Sequence, residues 1–330
     1  MNNRRKLIVA LGAGALAAPF GSFAQQQGKV WRVGFLAQRS RPASLDSDIY
    51  GAFPRGMREL GYVEGKNLVI EWRFADGKVE RLPALAAELV RLKVDVIVAG
   101  ATPSVQAARQ ATTAIPIVLV AVPDPVGEGF VTSLARPGGN ITGLSTIVTE
   151  VSIKQLELLR VMVPKLTRVA VLINPLNASD SLILEQINGA AYTTGVKILL
   201  VEASTASQIE AGFGAMTRAR AGGLIVAADE LFDGQRDQIA KLAVKNRLPT
   251  ISSNRELTEA GSLMSYGQNV AEHYRRAATY VDKILKGVKP GGLPVEQPTL
   301  LEMVVNRKTA AALGIKIPNS ILLRTDKVIE

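Results

Sequence analysis

The feature that most constrains the fold of this chain is an alternation of apolar segments with amphipathic helical segments, which runs through the sequence twice. In the first pass, apolar segments at 33–37, 68–74, 94–99 and 117–122 alternate with helical patterns at 47–60, 81–92 and 103–111. In the second pass, apolar segments at 169–173, 197–201, 223–227 and 248–252 alternate with helical patterns at 153–162, 179–194, 207–220 and 231–246. This rhythm predicts parallel strands covered by helices on both faces of a sheet.

The two passes repeat each other in order. VGFLA corresponds to VAVLI, DVIVA to GLIVA, and IPIVLV to LPTIS. The spacing of about 130 residues is much longer than the ~20–50 residues of solenoid repeats. The sequence therefore predicts an α/β protein with two similar doubly wound lobes.

The lobe boundaries follow from the turn-rich segments. Residues 136–143 (RPGGNITG) have the composition of a linker. The segment after the second pass is too short to form a domain, so we expect it to add elements to both lobes. The predicted first lobe comprises 28–147 plus about 264–297, and the second about 148–263 plus 298–330. The chain then crosses between the lobes more than once, which predicts a hinge.

Residues 1–24 (MNNRRKLIVALGAGALAAPFGSFA) combine basic residues, an apolar stretch and a small-residue ending. This is the pattern of a secretory signal peptide cleaved after Ala24. The paired arginines also fit a twin-arginine signal, so the export route stays open. No later segment has the roughly 18–20 continuous apolar residues of a membrane span. We expect the mature protein in the periplasm.

Composition excludes several classes of site. The chain has no cysteine, which excludes disulfides, thiolate metal sites and cysteine nucleophiles. We interpret the one histidine, His273, as a residue on a solvated helix face. Removal of three basic residues with the signal peptide leaves 36 basic against 29 acidic residues, a formal charge of +7. These charges are scattered and lack interleaved aromatics, so we expect no nucleic acid partner. We also expect neither a metal nor a cofactor.

Polar residues that follow the predicted strands are the candidate site residues, because ligands of open α/β sheets bind beyond the carboxyl ends of the strands. They are Gln38, Thr102, Ser104 and Asp124 in the first pass, and Asn174, Asp229, Ser253 and Asn254 in the second. Asp229 has a structural alternative as a helix N-cap. Tyr266 lies where the chain is predicted to recross, and its ring either stacks on a ligand or packs in the protein.

Two of these candidates form a complementary pair. The string GATPS places Thr102 at a predicted helix N-cap and Pro103 at the first helical position. The start of such a helix attracts a carboxylate. Asp124, held between two prolines at the end of the next strand, is an acceptor for an ammonium group. Together they suit a zwitterion such as an α-amino acid. It is equally open that Thr102 only caps its helix and Asp124 only caps a turn.

The usual catalytic motifs are missing. The sequence has no nucleophile elbow, phosphate-binding loop, dinucleotide fingerprint or zinc-protease motif. One enzymatic alternative remains, an exported small-molecule enzyme in which Asp124 and Asp229 face each other across a cleft.

Seven strings, in order, carry a resemblance to a known family. They are ATPS (101–104), AVPDPVG (121–127), RPGGNITG (136–143), KQLELL (154–159), LKG (285–287), LPVE (293–296) and NRKTA (306–310). The sequence resembles the ABC-transporter substrate-binding proteins, a family that includes the tryptophan-binding TrpX proteins. The resemblance covers nearly all of the mature chain.

The resemblance implies a type I periplasmic binding protein fold, with three hinge segments between two lobes that close on a small solute. It also implies a monomer without enzymatic activity that presents its solute to an inner-membrane permease. Aromatic amino acids are among the family's ligands. By position, Thr102 and Ser104 would serve a carboxylate, and Asp124 the amino group or the hinge. Second-lobe and hinge contacts would come from Asn174, Asp229, Asn254 and Tyr266.

Two questions stay open at this stage. The loop from Gln38 to Asp48 (QRSRPASLDSD) matches no ligand motif, and Arg39 or Arg41 would favour a more anionic solute. A ligand-sensing receptor that docks onto a membrane kinase would show the same features as an importer component.

Overall fold

The first sheet contains five parallel strands in the order β2-β1-β3-β4-β5. They are β1 Trp31–Ala37, β2 Leu68–Phe74, β3 Val96–Gly100, β4 Ile117–Val122 and β5 Ile141–Ser145. Every residue of β3 is buried, as expected of a central strand with helices on both faces. The computed structural model describes residues 29–46, 48–147, 149–177, 179–297 and 300–330. The predicted signal peptide, 1–24, lies outside the described residues.

The second sheet contains seven strands in the order β12-β11-β10-β9-β8-β6-β7. They are β6 Arg168–Ile173, β7 Lys197–Glu202, β8 Gly223–Val226, β9 Thr250–Ser252, β10 Met264–Gly267, β11 Glu302–Asn306 and β12 Lys327–Ile329. Neighbours pair in parallel except β10 and β11, which are antiparallel. Residues Trp31–Glu330 form one compact unit that contains both sheets.

Helices cover the faces of both sheets. They are α1 Ala52–Glu59, α2 Leu82–Arg91, α3 Ala101–Ala111, α4 Thr149–Met162, α5 Ser179–Thr194, α6 Ala206–Arg218, α7 Glu230–Gly234, α8 Arg236–Lys245, α9 Arg255–Glu259, α10 Val270–Leu285, α11 Arg307–Leu313 and α12 Asn319–Leu322. Short 3-10 helices lie at Ile49–Gly51, Val79–Arg81 and Pro290–Gly292. The predicted α/β fold class is confirmed.

The chain passes between the two lobes three times. It crosses between β5 and α4, returns between β10 and α10, and crosses again between Glu296 and β11. Helix α10 packs against α1, where Gly56 is so close to Arg275 and Ala278 that a side chain would not fit. Tyr274, Tyr280 and other buried residues of α10 thereby join the core of the first lobe.

Three details differ from the sequence-based expectations. The predicted linker 136–143 contains the start of β5, which pairs with β4 in the first sheet. The predicted helix 231–246 is two helices, because the chain turns at Gln235 between α7 and α8. Met264–Gly267 pairs with β9 and β11 in the second sheet, so the return to the first lobe comes after Gly267 and not near 264.

Candidate functional site

A cavity lies between the lobes, where the carboxyl ends of β3, β4, β8 and β9 face each other. Its empty volume, including the part open to solvent, is about 840 Å³. The first lobe supplies mainly apolar lining residues, among them Ile49, Ala101, Ala121, Ile147, Val270 and Tyr274. The second lobe supplies polar ones, among them Ser152, Gln155, Asp229, Asp233, Ser253 and Asn254.

Two alanines in the first-lobe wall have left-handed backbone. Ala101, directly after β3, has φ 58°, and Ala121, near the end of β4, has φ 59°. An L-residue in this region costs roughly 1–3 kcal/mol, and such residues cluster at functional sites. Both turns bring the main chain to the cavity with a side chain no larger than a methyl group.

Asp229 begins α7 and holds the second-lobe wall together. Its Oδ1 accepts a hydrogen bond from the backbone N–H of Leu231 at 2.8 Å, and Oδ2 accepts from Asn177 Nδ2 at 2.9 Å. Asn174 Nδ2 lies 3.3 Å from both oxygens. Burial raises the pKa of Asp229, and the hydrogen bonds from Leu231, Asn177 and Asn174 oppose that rise. The carboxylate therefore caps α7 and accepts hydrogen bonds that position two asparagine side chains.

Glu230 is the next residue, and it reaches across to the first lobe. Its Oε2 accepts from the backbone N–H of Gln38 at 2.7 Å, and Oε1 accepts from the Tyr50 hydroxyl at 3.1 Å. The side chain is 8% exposed. Burial raises the pKa of Glu230 to about 7, although the Gln38 N–H, Arg39 and Tyr50 all act to lower it.

Asp233, one turn further along α7, faces the same cavity from the second lobe. Burial raises its pKa to about 7, while Arg39 and the nearby Asn254 side chain act in the opposite direction. Asn254 is itself the N-cap of α9, with Oδ1 accepting from the backbone N–H of Glu256 at 2.8 Å. Asp233 and Asn254 thus form a polar corner in a largely apolar cavity.

Arg39 lies behind this corner and is buried. Its guanidinium contacts Asp48 at 3.1 Å and Glu256 at 3.4 Å, and lies 5.2 Å from the centre of the Tyr50 ring. Burial alone would lower the pKa of Arg39, but Tyr50 and the surrounding acids raise it above its ordinary value. Its charge is balanced by the protein's own acids.

No group of three or more histidine, cysteine, aspartate or glutamate residues in the described ranges is arranged to hold a metal ion. Among the same residues, no helix combines the length and the apolar character that crossing a membrane requires.

Residues 39–329 match the family described as ABC transporter substrate binding protein. This match spans most of the chain. The chain belongs to that family. It is also 28% identical over 281 residues to a tyrosine-binding protein of Clostridioides difficile (strain R20291), covering 85% of this chain and 80% of that protein.

Solved structures resemble this substrate-binding protein along nearly its whole length. A conserved domain protein from Vibrio cholerae O1 biovar El Tor has a TM-score of 0.84 and 29% identity, covering 91% of this chain and 100% of that chain. An ABC domain from Streptococcus pneumoniae in complex with L-Trp has a TM-score of 0.83 and 26% identity, covering 91% and 99%. The fold is that of the type I periplasmic binding proteins, with two lobes.

Four of the predicted site residues of this substrate-binding protein come together at the second-lobe wall. Asp229, Ser253 and Asn254 line the cavity, and Asn174 contacts Asp229 from behind. The strand-end rule found them because each follows the carboxyl end of a strand, β6, β8 or β9.

The predicted N-cap at Thr102 is wrong. Helix α3 begins at Ala101, and its N-cap is Gly100, which has no side chain to cap it. Thr102 and Ser104 are therefore buried inside the first turn, and Thr102 lines an outer groove with Leu82. The chain, with a positive φ at Ala101, enters the helix two residues earlier than the Thr-Pro pattern indicates.

Asp124 and Tyr266 also lie outside the described lining of the cavity. Asp124 is exposed, and its Oδ1 accepts from the backbone N–H of Gly127 at 2.8 Å, as in the turn-capping alternative. The Tyr266 ring packs against the core of the second lobe, and its carbonyl accepts from Gln155 Nε2 at 3.0 Å. Asp124 and Asp229 do not share this cavity, so the paired-acid arrangement of the enzymatic alternative is not observed among the described residues.

Gln38 is buried between the lobes, next to the cavity wall. Its backbone N–H donates to Glu230, and its side-chain amide has no hydrogen-bond partner among the described residues. Sequence reasoning missed Glu230 and Asp233, although both lie within four residues of Asp229. It also missed Gln155, which lies within the KQLELL string.

Proposed function

We propose that this chain is the exported solute-binding component of an ABC importer and that it captures an aromatic α-amino acid in the interlobe cavity. The observation that carries the proposal is the composition of the cavity: a carboxylate corner on the second lobe opposes apolar walls and a helix start on the first. An amino acid presents an ammonium group, a carboxylate and a side chain, and each has a matching region.

The ammonium group is assigned to Asp233. A carboxylate in a partly buried position gains most from a cation, because charge-assisted hydrogen bonds are about twice as strong as neutral ones. Asp229 already accepts from Leu231 and two asparagines, and Glu230 from Gln38 and Tyr50. In the described part of the chain, Asp233 is the acid of this cavity with the fewest protein groups that act to lower its pKa.

The carboxylate is assigned to the start of α3. Ala101 lines the cavity, and α3 is an 11-residue helix whose N-cap makes no side-chain hydrogen bond. Backbone N–H groups and the positive end of the helix dipole favour an anion at such a position. The GATPS string predicts a carboxylate socket at this helix start, and the proposed socket lies two residues earlier and is formed by main chain.

The side chain is assigned to the apolar wall formed by Ile49, Ile147, Val270 and Tyr274. Two relatives support an aromatic side chain: one is named for tyrosine binding, and the other was solved with L-Trp. An importer role and a periplasmic location are supported by the family and by the signal-peptide pattern of residues 1–24.

A screen of the natural L-amino acids by thermal shift, followed by calorimetry, tests the proposal. We expect an aromatic amino acid to raise the melting temperature, since a ligand at 100 times its Kd stabilises by about 2.7 kcal/mol. The solute should be recovered unchanged. The proposal is overturned if only another class of solute binds, or if the bound compound is chemically consumed.

The role of Asp233 is tested separately with Asp233→Asn, which keeps the shape of the side chain. We expect a 10- to 100-fold weaker Kd, corresponding to the roughly 1.5–3 kcal/mol of a hydrogen bond to a charged group. Asp237→Asn is the matched control, because Asp237 is exposed at the start of α8. An unchanged Kd in Asp233→Asn would assign the ammonium elsewhere without affecting the choice of solute.

A further inference from the structure

Glu230 connects the two lobes through a single buried carboxylate. It belongs to α7 of the second lobe, but both of its hydrogen-bond donors belong to the first. The Gln38 N–H lies at the end of β1, and the Tyr50 hydroxyl lies in the 3-10 helix Ile49–Gly51. Separation of the lobes must break both contacts and return the carboxylate to water.

We propose that Glu230 is a proton-linked clasp, so that closure of the empty protein takes up a proton and is favoured as the pH falls. This goes beyond solute capture, because it concerns the equilibrium between open and closed forms before any solute arrives.

A second interlobe contact lies beside the clasp. Arg39, from the first lobe, pairs with Asp48 of its own lobe and with Glu256 of the second. The titratable and charged groups around Glu230 are Arg39, Tyr50 and Tyr274 from the first lobe, and Asp229 and Asp233 from α7. One cation therefore faces several acids, and Arg39 is already shared among three of them.

The direction of the proton linkage follows from the burial of Glu230 when the lobes are closed. Burial in the closed form raises the pKa of Glu230 from 4.5 to about 7. In an open form the side chain is hydrated and returns towards its ordinary value. Between about pH 4.5 and 7 the closed form then binds more protons, so lower pH favours closure. A neutral carboxyl keeps both contacts, because its C=O accepts from the Gln38 N–H and its O–H donates to the Tyr50 oxygen.

Asp233 contributes in the same direction. Its pKa is also raised to about 7, with burial as the main cause, and it lies at the lobe interface. For each carboxylate with these values, lowering the pH from 8 to 6 multiplies the closing equilibrium constant by about ten.

The test measures the distance between the lobes in the empty protein. Because the chain has no cysteine, the double substitution Lys78→Cys and Ser207→Cys gives two unique spin-label sites. Both are exposed, and the segments that carry them flank one groove between the lobes. The wild-type background should shift towards the short distance as the pH falls from 8 to 6.

Glu230→Gln mimics the protonated side chain. We expect this variant to be more closed than the wild type at pH 8. The increase in its closing equilibrium constant from pH 8 to pH 6 should be about tenfold smaller than in the wild type. Glu272→Gln, at an exposed carboxylate on α10, is the matched control and should behave as the wild type. Tyr50→Phe, which removes one first-lobe donor, should lower the closed fraction at pH 8.

The proposal is overturned if Glu230→Gln retains the full pH dependence, or if Tyr50→Phe leaves the closed fraction unchanged. Since no solute is added, either result is independent of which amino acid binds. If Glu230→Gln does not fold, Glu230→Ala decides, because it also removes the titrating carboxyl and should lose the same tenfold pH dependence.

Discussion

At the scale of single residues, Gly100 shows how little space separates the lobes. A Cβ atom at this position would collide with the Tyr274 hydroxyl and lie 2.7 Å from Glu230 Oε1. Gly100 has an ordinary extended backbone, with φ −89°, so the requirement for glycine is purely steric. The glycine therefore keeps the end of β3 clear for two side chains that meet at the interface.

Gly100→Ala should displace Tyr274 and Glu230 together. We expect a loss of about 1–3 kcal/mol in the free energy of unfolding, the typical cost of overpacking, and a weaker Kd for the solute. Urea unfolding and calorimetry measure the two effects. Gly189→Ala is the control, because a Cβ on this exposed helical glycine meets nothing within 4 Å and should stabilise by about 0.5–1 kcal/mol. Equal behaviour of the two variants would contradict the steric account.

The residue scale also shows which site residues the sequence can predict. Asp229 and Asn254 were found because strand ends can be located from apolar runs, and side chains just beyond them lie near a ligand. Asp233 was missed because its position depends on how α7 is rotated. Asp124 was placed at the cavity because a proline-flanked acid can point either way, and only the contact with Gly127 distinguishes a turn cap.

At the scale of secondary-structure elements, α10 is the helix that begins directly after the second crossing between the lobes. Its N-cap is Asn269, whose Oδ1 accepts from the backbone N–H of Glu272 at 3.1 Å. Asn269→Ala should lower the free energy of unfolding by about 1 kcal/mol, the usual value of such a cap. Urea denaturation measures it. Asn269→Ser should lose much less, and equal losses in both variants would show that the cap bond is not the cause.

Elements with one dominant signal were predicted to the residue. The strands Leu68–Phe74 and Ile117–Val122 have the predicted bounds, because apolar runs or alternation end at turn residues. The start of strand β5 falls in the predicted linker 136–143, which has the proline and glycines of a turn-rich segment. Gly143 has φ 140°, and a Cβ atom there would lie within 2.9 Å of Leu119 backbone atoms. A strand glycine can mark such close backbone approach, but the sequence alone does not distinguish it from a turn glycine.

At the scale of the whole molecule, the internal repeat predicted two lobes, whereas the path between them depended on long-range pairing. Met264–Gly267 pairs in parallel with β9 and antiparallel with β11, which lies about 40 residues later in the chain. Pairing over such a distance leaves no local pattern. The same limit hid the buried acids, since Glu230 is buried only when residues of both lobes enclose it.

Those buried acids predict how the stability of the whole molecule depends on pH. Burial raises the pKa of Glu230 from 4.5, and that of Asp233 from 3.8, to about 7. The contribution of these two acids to the free energy of unfolding is fully present below their pKa values in the unfolded chain. It is lost as the pH rises to about 7. His273 is buried and does not lie on a solvated helix face as the sequence pattern indicates. Burial lowers the pKa of His273 from 6.5 to about 4, so its contribution to stability is lost as the pH falls through that range. The two protons that Glu230 and Asp233 take up on folding outweigh the one proton that His273 excludes.

We therefore expect the free energy of unfolding to rise as the pH is lowered from about 7 to 5, by about 1 kcal/mol per pH unit. Two variants should change this slope in opposite directions. Asp233→Asn removes one proton taken up by the folded protein and should flatten the slope, whereas His273→Gln removes the opposing group and should steepen it. Urea unfolding of the three proteins at several pH values measures the slopes. A slope that both variants change in the same direction would show that other groups control the pH dependence.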